Sequence, residues 1–437
     1  MSQHRFEHSA PSVSKNLSLF HIPPTDLGVE RVQWVDYRPS GQSDDGPLEF
    51  TISGAGHQYV DLQNTRLFIK AKIVKEDGSK TPLLVKDTDQ PFAASNMNPE
   101  AFVGPVNLFL HSLFSQVDLL MQQKVINSSN LYPYRSYIET VIYPYEKWLG
   151  QSELYYKDSP KDMESTKILG GNAGFNRRSL RTAQSIECDM EGPLHVDLCR
   201  QDRFIMNGVN FGLRLWQTKD SFRLMSQIGA CKVIITDAVL KVCKVDISPS
   251  VMATHNQIMK HTTTAKYPYE RTEMKTYTIS KGLMSFNVED VFQGEVPNKV
   301  VMGLVSTSSF FGSFLGNPYN FKHANISQIG VKVDDTPVPA QPLTTKFGGY
   351  NNAASAFRAL FEDNPDLDIS RDDFENGYTL FSFTTRKGSH ETLNTLQKGN
   401  FSIEINFGEV TSEHYNLVIM AKMPHVMEIN VDRQITV

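Results

Sequence analysis

The run RLFIKAKIV, from Arg66 to Val74, decides the fold class because apolar residues occupy every second position within it. On an extended chain one face would carry the apolar side chains of Leu67, Ile69, Ala71 and Ile73. A period of two residues is typical of a strand whose sheet buries one face. The same alternation recurs in IGVKV at Ile329–Val333 and in FSIEINF at Phe401–Phe407. The sequence therefore predicts a protein built mainly of strands.

Helical spacing is confined to three short segments. The first begins at Pro133 and stops at Pro144, a residue that cannot continue a helix. The second would be capped by Asn351 or Asn352 and closed by Pro365, and the third would run from Ser250 to His261. A majority of strands with isolated helices favours β-sandwiches over alternating βαβ units.

Short stretches of the first half of the chain recur in the second half. SQV at Ser115–Val117 and SQI at Ser327–Ile329 each open an alternating strand, and a helical segment follows each at a similar distance. NFGLRL at Asn210–Leu215 matches NFSIEI at Asn400–Ile405 in residue type. Short matches can arise by chance, but 437 residues also fit two domains of roughly 200 residues. We therefore predict an arm at 1–28, one sandwich at 29–247, a linker at 248–262 and a second sandwich at 263–437.

Composition excludes several classes of protein. Lys and Arg number 43 against 48 Asp and Glu, so no basic excess is available to neutralise packed nucleic acid. No apolar run is long enough for a transmembrane helix, and the polar start at Met1–Ala10 lacks the apolar core of a signal peptide. We expect synthesis in the cytosol. Four cysteines without metal-ligand spacing indicate buried reduced thiols.

Motifs for catalysis, cofactors or metals are not found. The acidic stretch Glu362–Glu375 fails as a calcium loop, because counting from Asp366 places Arg371 at the sixth position and Gly377 at the twelfth. The histidines show no helical zinc pair with a third ligand, and we expect them to be structural or solvent-facing. We predict no catalytic residue, no cofactor and no metal.

Two groups of residues are candidates for assembly. The otherwise polar arm contains one apolar group, which comprises Leu17, Leu19, Phe20 and Ile22. This group could dock on a neighbouring subunit or fold back beneath its own sandwich. A compact basic group follows a glycine-rich turn and comprises Arg177, Arg178 and Arg181. It could face the interior and touch a genome or an internal membrane, act as a nuclear-import signal, or pair with nearby carboxylates.

Six long segments of the chain form a recognisable pattern: VQWVDYRP (Val32–Pro39), GHQYVDLQNTRLFIKAKI (Gly56–Ile73), GPVNLFLHSLFSQVDLLMQQKVI (Gly104–Ile126), YPYRSYIETVIYP (Tyr132–Pro144), HVDLCRQDRFIMNGVNFGLRLW (His195–Trp216) and, more loosely, GNPYNFKHANISQIGVKV (Gly316–Val333). Together they resemble the major capsid proteins, or hexons, of Maverick/Polinton elements and adintoviruses. Residues 1–28 have no counterpart in that pattern.

The resemblance implies a double jelly roll, all-β, with two tandem eight-stranded sandwiches and a few short helices in loops. It further implies homotrimers of pseudo-hexagonal outline that tile an icosahedral shell around double-stranded DNA, without sequence-specific binding to that DNA. Penton or minor capsid proteins would be partners, and assembly would take place in the nucleus. The alternative class is a tandem β-sandwich that binds or hydrolyses carbohydrate. A minor capsid protein is disfavoured because a single jelly roll needs about half this length.

Overall fold

The computed structural model describes residues 19–20, 25–41, 46–82, 103–143, 147–167, 171–261, 264–347, 353–362, 367–386 and 395–437. The strands of the first half are β1 Val29–Tyr37, β2 Leu48–Ile52, β3 Tyr59–Lys75, β4 Val103–Pro105, β5 Phe114–Met121, β6 Lys124–Asn130, β7 Cys188–Pro193, β8 Phe211–Gln217, β9 Leu224–Ser226 and β10 Cys231–Ile247. Those of the second half are β11 Ala265–Ile279, β12 Ser285–Val288, β13 Glu295–Val296, β14 Lys299–Ser306, β15 Ile326–Val333, β16 Thr336–Thr344, β17 Phe381–Thr384, β18 Gln397–Lys398, β19 Phe401–Phe407, β20 Tyr415–Ile429 and β21 Ile435–Thr436.

The α-helices are short and lie between strands. They are α1 Phe109–Ser112, α2 Tyr132–Ile142, α3 Lys147–Ser152, α4 Ala173–Thr182, α5 Asp220–Arg223, α6 Pro249–Lys260, α7 Thr307–Phe311, α8 Ala354–Phe361 and α9 Arg371–Glu375.

Both halves use one strand connectivity. In the first half the sheets run β1-β10-β3-β7 and β2-β8-β5-β6, and in the second β11-β20-β14-β17 and β12-β19-β15-β16. If the eight main strands of each half are counted along the chain, both halves contain the sheets 1-8-3-6 and 2-7-4-5. All these pairings are antiparallel, as in a jelly roll. The predicted fold class, two tandem jelly rolls, is confirmed.

The alternation in β3 sets which face of its sheet is buried. Leu67, Ile69 and Ala71 are fully buried, and β3 pairs with β10 on one side and with β7 on the other. Because the side-chain period of a strand is two, a slip of one residue would move this whole apolar set to the opposite face. The sequence pattern therefore fixes the register as well as the strand.

The two apolar cores each draw on both halves of the chain. One core combines the second jelly roll with Tyr134 and Tyr137 of α2 and Phe175 of α4. The other combines the first jelly roll with Tyr267 of β11 and Met427 of β20. Residues 248–262, which we proposed as a linker, contain α6.

The helix predictions hold in part. Helix α2 coincides with the segment predicted after Pro133, and α8 begins at Ala354 with Ala353 at its N-cap position. The predicted caps Asn351 and Asn352, and Pro365, lie outside the described residues. Helix α4 covers a segment that was predicted from the sequence to be a loop. Its N-cap is Asn172, whose side-chain oxygen accepts a hydrogen bond from the Phe175 amide. The four cysteines are buried and form no disulfide.

Candidate functional site

Two of the four apolar arm residues are described in the structure, and both are exposed. The Leu19 side chain is 76% exposed and that of Phe20 is 94% exposed, so neither is buried beneath its own jelly roll. Leu17 and Ile22 lie outside the described residues. The docking of this arm on a neighbouring subunit stays a prediction.

The basic group divides into one buried and two exposed residues. Arg177 and Arg181 lie on the exposed side of α4, whereas Arg178 is fully buried. Arg178 donates hydrogen bonds to the carbonyl oxygens of Pro105 and Tyr156 and to the Asp158 carboxylate, at 2.8 Å in the last case. Of the alternatives predicted for this group, Arg178 agrees with pairing to a nearby carboxylate and not with contact to a genome, because a buried guanidinium requires a carboxylate partner and cannot reach nucleic acid. Any contact of Arg177 and Arg181 with nucleic acid stays a prediction.

Asp158 links the two halves of the chain. Besides Arg178, its carboxylate accepts a hydrogen bond from the side-chain amide of Asn317 at 3.1 Å, and its backbone carbonyl accepts one from the Tyr378 hydroxyl at 2.9 Å. Asn317 and Tyr378 belong to loops of the second jelly roll. Asp158 thus ties α4 to both of these loops, to one through its carboxylate and to the other through its backbone carbonyl.

The acidic stretch that failed as a calcium loop has a structural role where it is described. Asp373 forms a capping box with Ser370 at the start of α9 and accepts a hydrogen bond from Lys157 at 2.7 Å. Burial alone would raise the pKa of Asp373, but Lys157 and the Ser370 amide outweigh burial and hold the pKa below its ordinary value. Asp363 and Asp366 lie outside the described residues.

Apolar side chains are exposed in two patches of the second jelly roll. The first, the 283/410 patch, combines Leu283, Met284 and Val410. Its two loops are held together because the Thr411 amide donates to the Leu283 carbonyl at 3.0 Å. The second patch combines Phe311, the last residue of α7, with Leu315 in the segment that follows. Adjoining exposed apolar side chains are typical of surfaces that a partner covers.

A buried polar cluster lies in the first jelly roll. His111 of α1, Glu153 just after α3 and His195 just after β7 are each at most 1% exposed. One ligand atom from each of the three lies within 4.8 Å of the others, and His111 Nε2 is 3.6 Å from Glu153 Oε2. Three atoms of the cluster have no hydrogen-bond partner among the described residues: both carboxylate oxygens of Glu153, and Nε2 of His111.

The remaining ring nitrogens of the cluster are held by polar neighbours. His111 Nδ1 lies 2.8 Å from the Tyr132 hydroxyl, and His195 Nδ1 lies 2.8 Å from Glu139 Oε2. Burial would raise the pKa of Glu139, but Arg135 and Arg200 outweigh burial and hold that pKa well below its ordinary value. Glu139 is therefore ionised and can only accept hydrogen bonds.

The charge around His195 fixes its protonation. Burial, together with the nearby Arg200 guanidinium, holds the pKa of His195 well below its ordinary value, so the ring is neutral at neutral pH. Arg200 Nη2 also lies 2.8 Å from His195 Nδ1, but a guanidinium can only donate hydrogen bonds. We assign the Arg200 donor to Glu139, at 3.1 Å, and the Nδ1 proton of His195 to the same carboxylate.

No local pattern in the sequence indicates this cluster. The histidines were predicted to be structural or solvent-facing because none has a helical ligand pair with a third ligand nearby in the chain. His111, Glu153 and His195 are spread over residues 111–195, and only the fold brings them together. The sequence gives only indirect evidence for the cluster, because His111 and His195, but not Glu153, lie in segments that carry the family resemblance.

The duplicated connectivity defines the double jelly-roll fold. Several solved structures share this fold with the chain, and those of mavirus and faustovirus are major capsid proteins. A chain of the Sputnik virophage structure superposes with a TM-score of 0.59 at 10% identity, covering 98% of this chain and 92% of that one. The mavirus major capsid protein gives a TM-score of 0.52 at 11% identity, covering 100% and 96%. The faustovirus major capsid protein gives 0.53 at 8% identity, covering 94% and 92%.

Comparison of the amino-acid sequence with known proteins finds a distant relative but no family. An uncharacterized protein of Caenorhabditis elegans is 22% identical over 415 residues, which cover 89% of this chain and 93% of that protein. No protein-family model matches the chain. Among the described residues, no helix has the length and hydropathy needed to cross a membrane.

Proposed function

We propose that this protein is a major capsid protein and that its role is structural, not enzymatic. The observation that carries the proposal is one jelly-roll connectivity used twice in a chain whose fold matches viral capsid chains over nearly its whole length. The mechanism is burial of complementary surface between copies of the chain, which needs neither cofactor nor catalytic residue. The carbohydrate-binding or hydrolytic alternative is weakened at its strongest acidic cluster, because one member, Asp373, is engaged in a cap and an ion pair.

The capsomer that we propose is a homotrimer. Three copies of a double jelly roll supply six sandwiches, and six sandwiches around a threefold axis give the pseudo-hexagonal outline that tiles a shell. The exposed 283/410 patch and the patch of Phe311 and Leu315 supply apolar surface for such contacts. Within the trimer we expect large, obligate interfaces, and between trimers weaker and reversible ones.

The shell that we propose is icosahedral and encloses double-stranded DNA as a wall. A net charge of −5 fits a protein that does not neutralise its cargo, and DNA would be enclosed without sequence-specific binding. Penton or minor capsid proteins would complete the shell. Virions are the proposed location, after synthesis in the cytosol and assembly in the nucleus.

The proposed source lineage is that of Maverick/Polinton elements and adintoviruses. Two findings support it: the resemblance of the segments from Val32 to Trp216, and a relative of similar length in an animal, Caenorhabditis elegans. The solved neighbours are virophage and large-virus proteins at 8–11% identity, which supports the fold but not the choice among lineages.

The arm of residues 1–28 is proposed to dock on a neighbouring subunit. The exposed side chains of Leu19 and Phe20 support this, because exposure of large apolar groups in water is unfavourable unless a partner covers them. A chain lacking residues 2–24 should form trimers but assemble shells poorly. Unchanged shell assembly by the truncated chain would contradict docking.

The test of the proposed function is the mass and shape of the purified full-length chain. Light scattering coupled to size exclusion should give about three times the 49.3 kDa of one chain, as a closed cyclic oligomer requires. Negative-stain images of the same fractions should show pseudo-hexagonal particles or shells. A chain that stays monomeric at high concentration and shows neither would overturn the proposal.

A further inference from the structure

We propose that His111, Glu153 and His195 bind a divalent transition-metal ion, with Zn²⁺ the expected occupant. The site lies inside the first jelly roll, between α1, the end of α3 and the loop after β7. It is independent of the proposed capsid role, because it needs only the fold of a single chain.

The donor set and its spacing fit such an ion. Zinc binds imidazole nitrogen and carboxylate oxygen at about 2.0–2.2 Å in a tetrahedral arrangement, which places ligand atoms roughly 3.3–3.5 Å apart. His111 Nε2 and Glu153 Oε2 are 3.6 Å apart, so a closure of a few tenths of an ångström would complete that edge. Because neither oxygen of Glu153 has a hydrogen-bond partner among the described residues, either can bind, and with two imidazoles Glu153 completes three protein ligands and leaves a fourth position for water.

The outer contacts orient both rings for metal binding. Ligating histidines usually donate their second ring N–H to an oxygen, and that bond leaves the other nitrogen lone pair for the ion. The Glu139 carboxylate accepts from His195 Nδ1, and the Tyr132 oxygen is 2.8 Å from His111 Nδ1. The Tyr132 oxygen also accepts from the His195 amide at 3.3 Å, so one hydroxyl ties the two histidines together.

The backbone makes room for the carboxylate. A Cβ at position 192 would lie 2.2 Å from Glu153 Oε1, so the space that Glu153 occupies exists only because β7 carries Gly192 there. The simplest competing arrangement is a protonated His111 paired with Glu153 across 3.6 Å and no metal. That pair would leave both carboxylate oxygens without a hydrogen bond, a costly state in the protein interior, whereas an ion satisfies the three side chains at once.

The experiment measures metal in the untagged, full-length chain. The protein is produced in medium supplemented with zinc, desalted, and analysed by plasma mass spectrometry, and we expect about one zinc per chain. X-ray absorption at the zinc edge should show two imidazole ligands and oxygen ligands without sulfur. Less than about a tenth of an ion of any transition metal per chain would mean a His111–Glu153 ion pair only, and would overturn the proposal.

Variants locate the ion. His111→Gln and Glu153→Gln should each lower bound zinc at least about fivefold, whereas His57→Gln, at an exposed histidine outside the cluster, should retain it. Undiminished zinc in the two cluster variants would overturn the proposal. If these variants do not fold, a strong chelator applied to the wild-type chain decides, because removal of the ion should lower the melting temperature and zinc should restore it. A melting temperature that neither chelator nor zinc alters would contradict a bound ion.

Discussion

Arg177 and Arg178 are neighbours in the chain and have opposite environments. Arg178 is fully buried and paired with Asp158, whereas Arg177 lies on the exposed side of α4. Removing one partner of a buried ion pair leaves the other charge without compensation, and this is far more costly than losing an exposed charge. The two residues therefore form a matched pair for a stability test.

Arg178→Ala should lower the free energy of unfolding by about 3–5 kcal/mol, because it leaves the Asp158 carboxylate buried without its cation. Arg177→Ala is the control and should change stability little, as substitutions at exposed positions usually do. Urea unfolding followed by circular dichroism measures both. Equal effects of the two substitutions would show that the Arg178–Asp158 pair does not hold α4.

Sequence reasoning could not separate these two arginines. Both stand in the same basic run, and the carboxylate that distinguishes them, Asp158, lies 20 residues away in the chain. By contrast, the buried set Leu67, Ile69 and Ala71 of β3 follows directly from a period of two. Local periodicity reports which face is buried, but the pairing of a buried charge depends on the folded chain.

At the scale of elements, α2 joins the two jelly rolls. All eleven of its residues are buried, including Arg135 and Glu139 as well as the apolar face predicted from helical spacing. Tyr137 of α2 stacks on Tyr319 of the second half, with ring centroids 4.1 Å apart. The helical spacing of apolar residues predicted α2. Burial on every side also requires the second jelly roll, which packs against the face that would otherwise be exposed. The charged face of α2 could therefore not be expected to be buried.

Tyr319 allows the stacked ring and its hydroxyl to be tested separately. Tyr319→Ala should cost about 3–5 kcal/mol in the free energy of unfolding, because a large ring between the jelly rolls would be replaced by a cavity. Tyr319→Phe keeps the ring and removes a buried hydroxyl without a hydrogen-bond partner among the described residues, so it should be neutral or slightly stabilising. Urea unfolding measures both. A large loss on Tyr319→Phe would reveal a hydrogen bond to that hydroxyl.

The Lys157–Asp373 pair should make the contact of α9 dependent on pH. The pKa of Asp373 is lowered in the fold, so its stabilising contribution is present above the unfolded value of 3.8 and is lost as the pH falls through the lower folded value. Asp373→Asn should therefore lower the melting temperature at pH 7, and the difference from wild type should shrink below about pH 4. Asp372→Asn, at the exposed neighbour, is the control. A difference that is constant across this range would contradict the ion pair.

At the scale of the whole molecule, the sequence predicts that one sandwich plan is used twice. It does not predict that the two jelly rolls share their apolar cores. The echo between Asn210–Leu215 and Asn400–Ile405 corresponds to β8 and β19, which hold the same seventh place in their jelly rolls. The sharing of both cores between the halves, through residues such as Tyr134 and Met427, left no local pattern. Long-range contacts of this kind depend on how the two folded sandwiches pack against each other. No short segment of the sequence indicates that packing.

At this scale the 283/410 patch is predicted to be covered in the assembled capsomer. The double variant Met284→Lys with Val410→Lys should shift the mass toward that of a single chain, because it places charge where apolar surface would be buried. Both side chains are exposed in the single chain, so its circular dichroism spectrum and melting behaviour as a monomer should be retained. Thr51→Lys, an exposed substitution on β2 of the other jelly roll, is the control and should leave the oligomer intact. A double variant with unchanged mass would exclude this patch from the subunit contacts and leave the patch of Phe311 and Leu315 as the next to test.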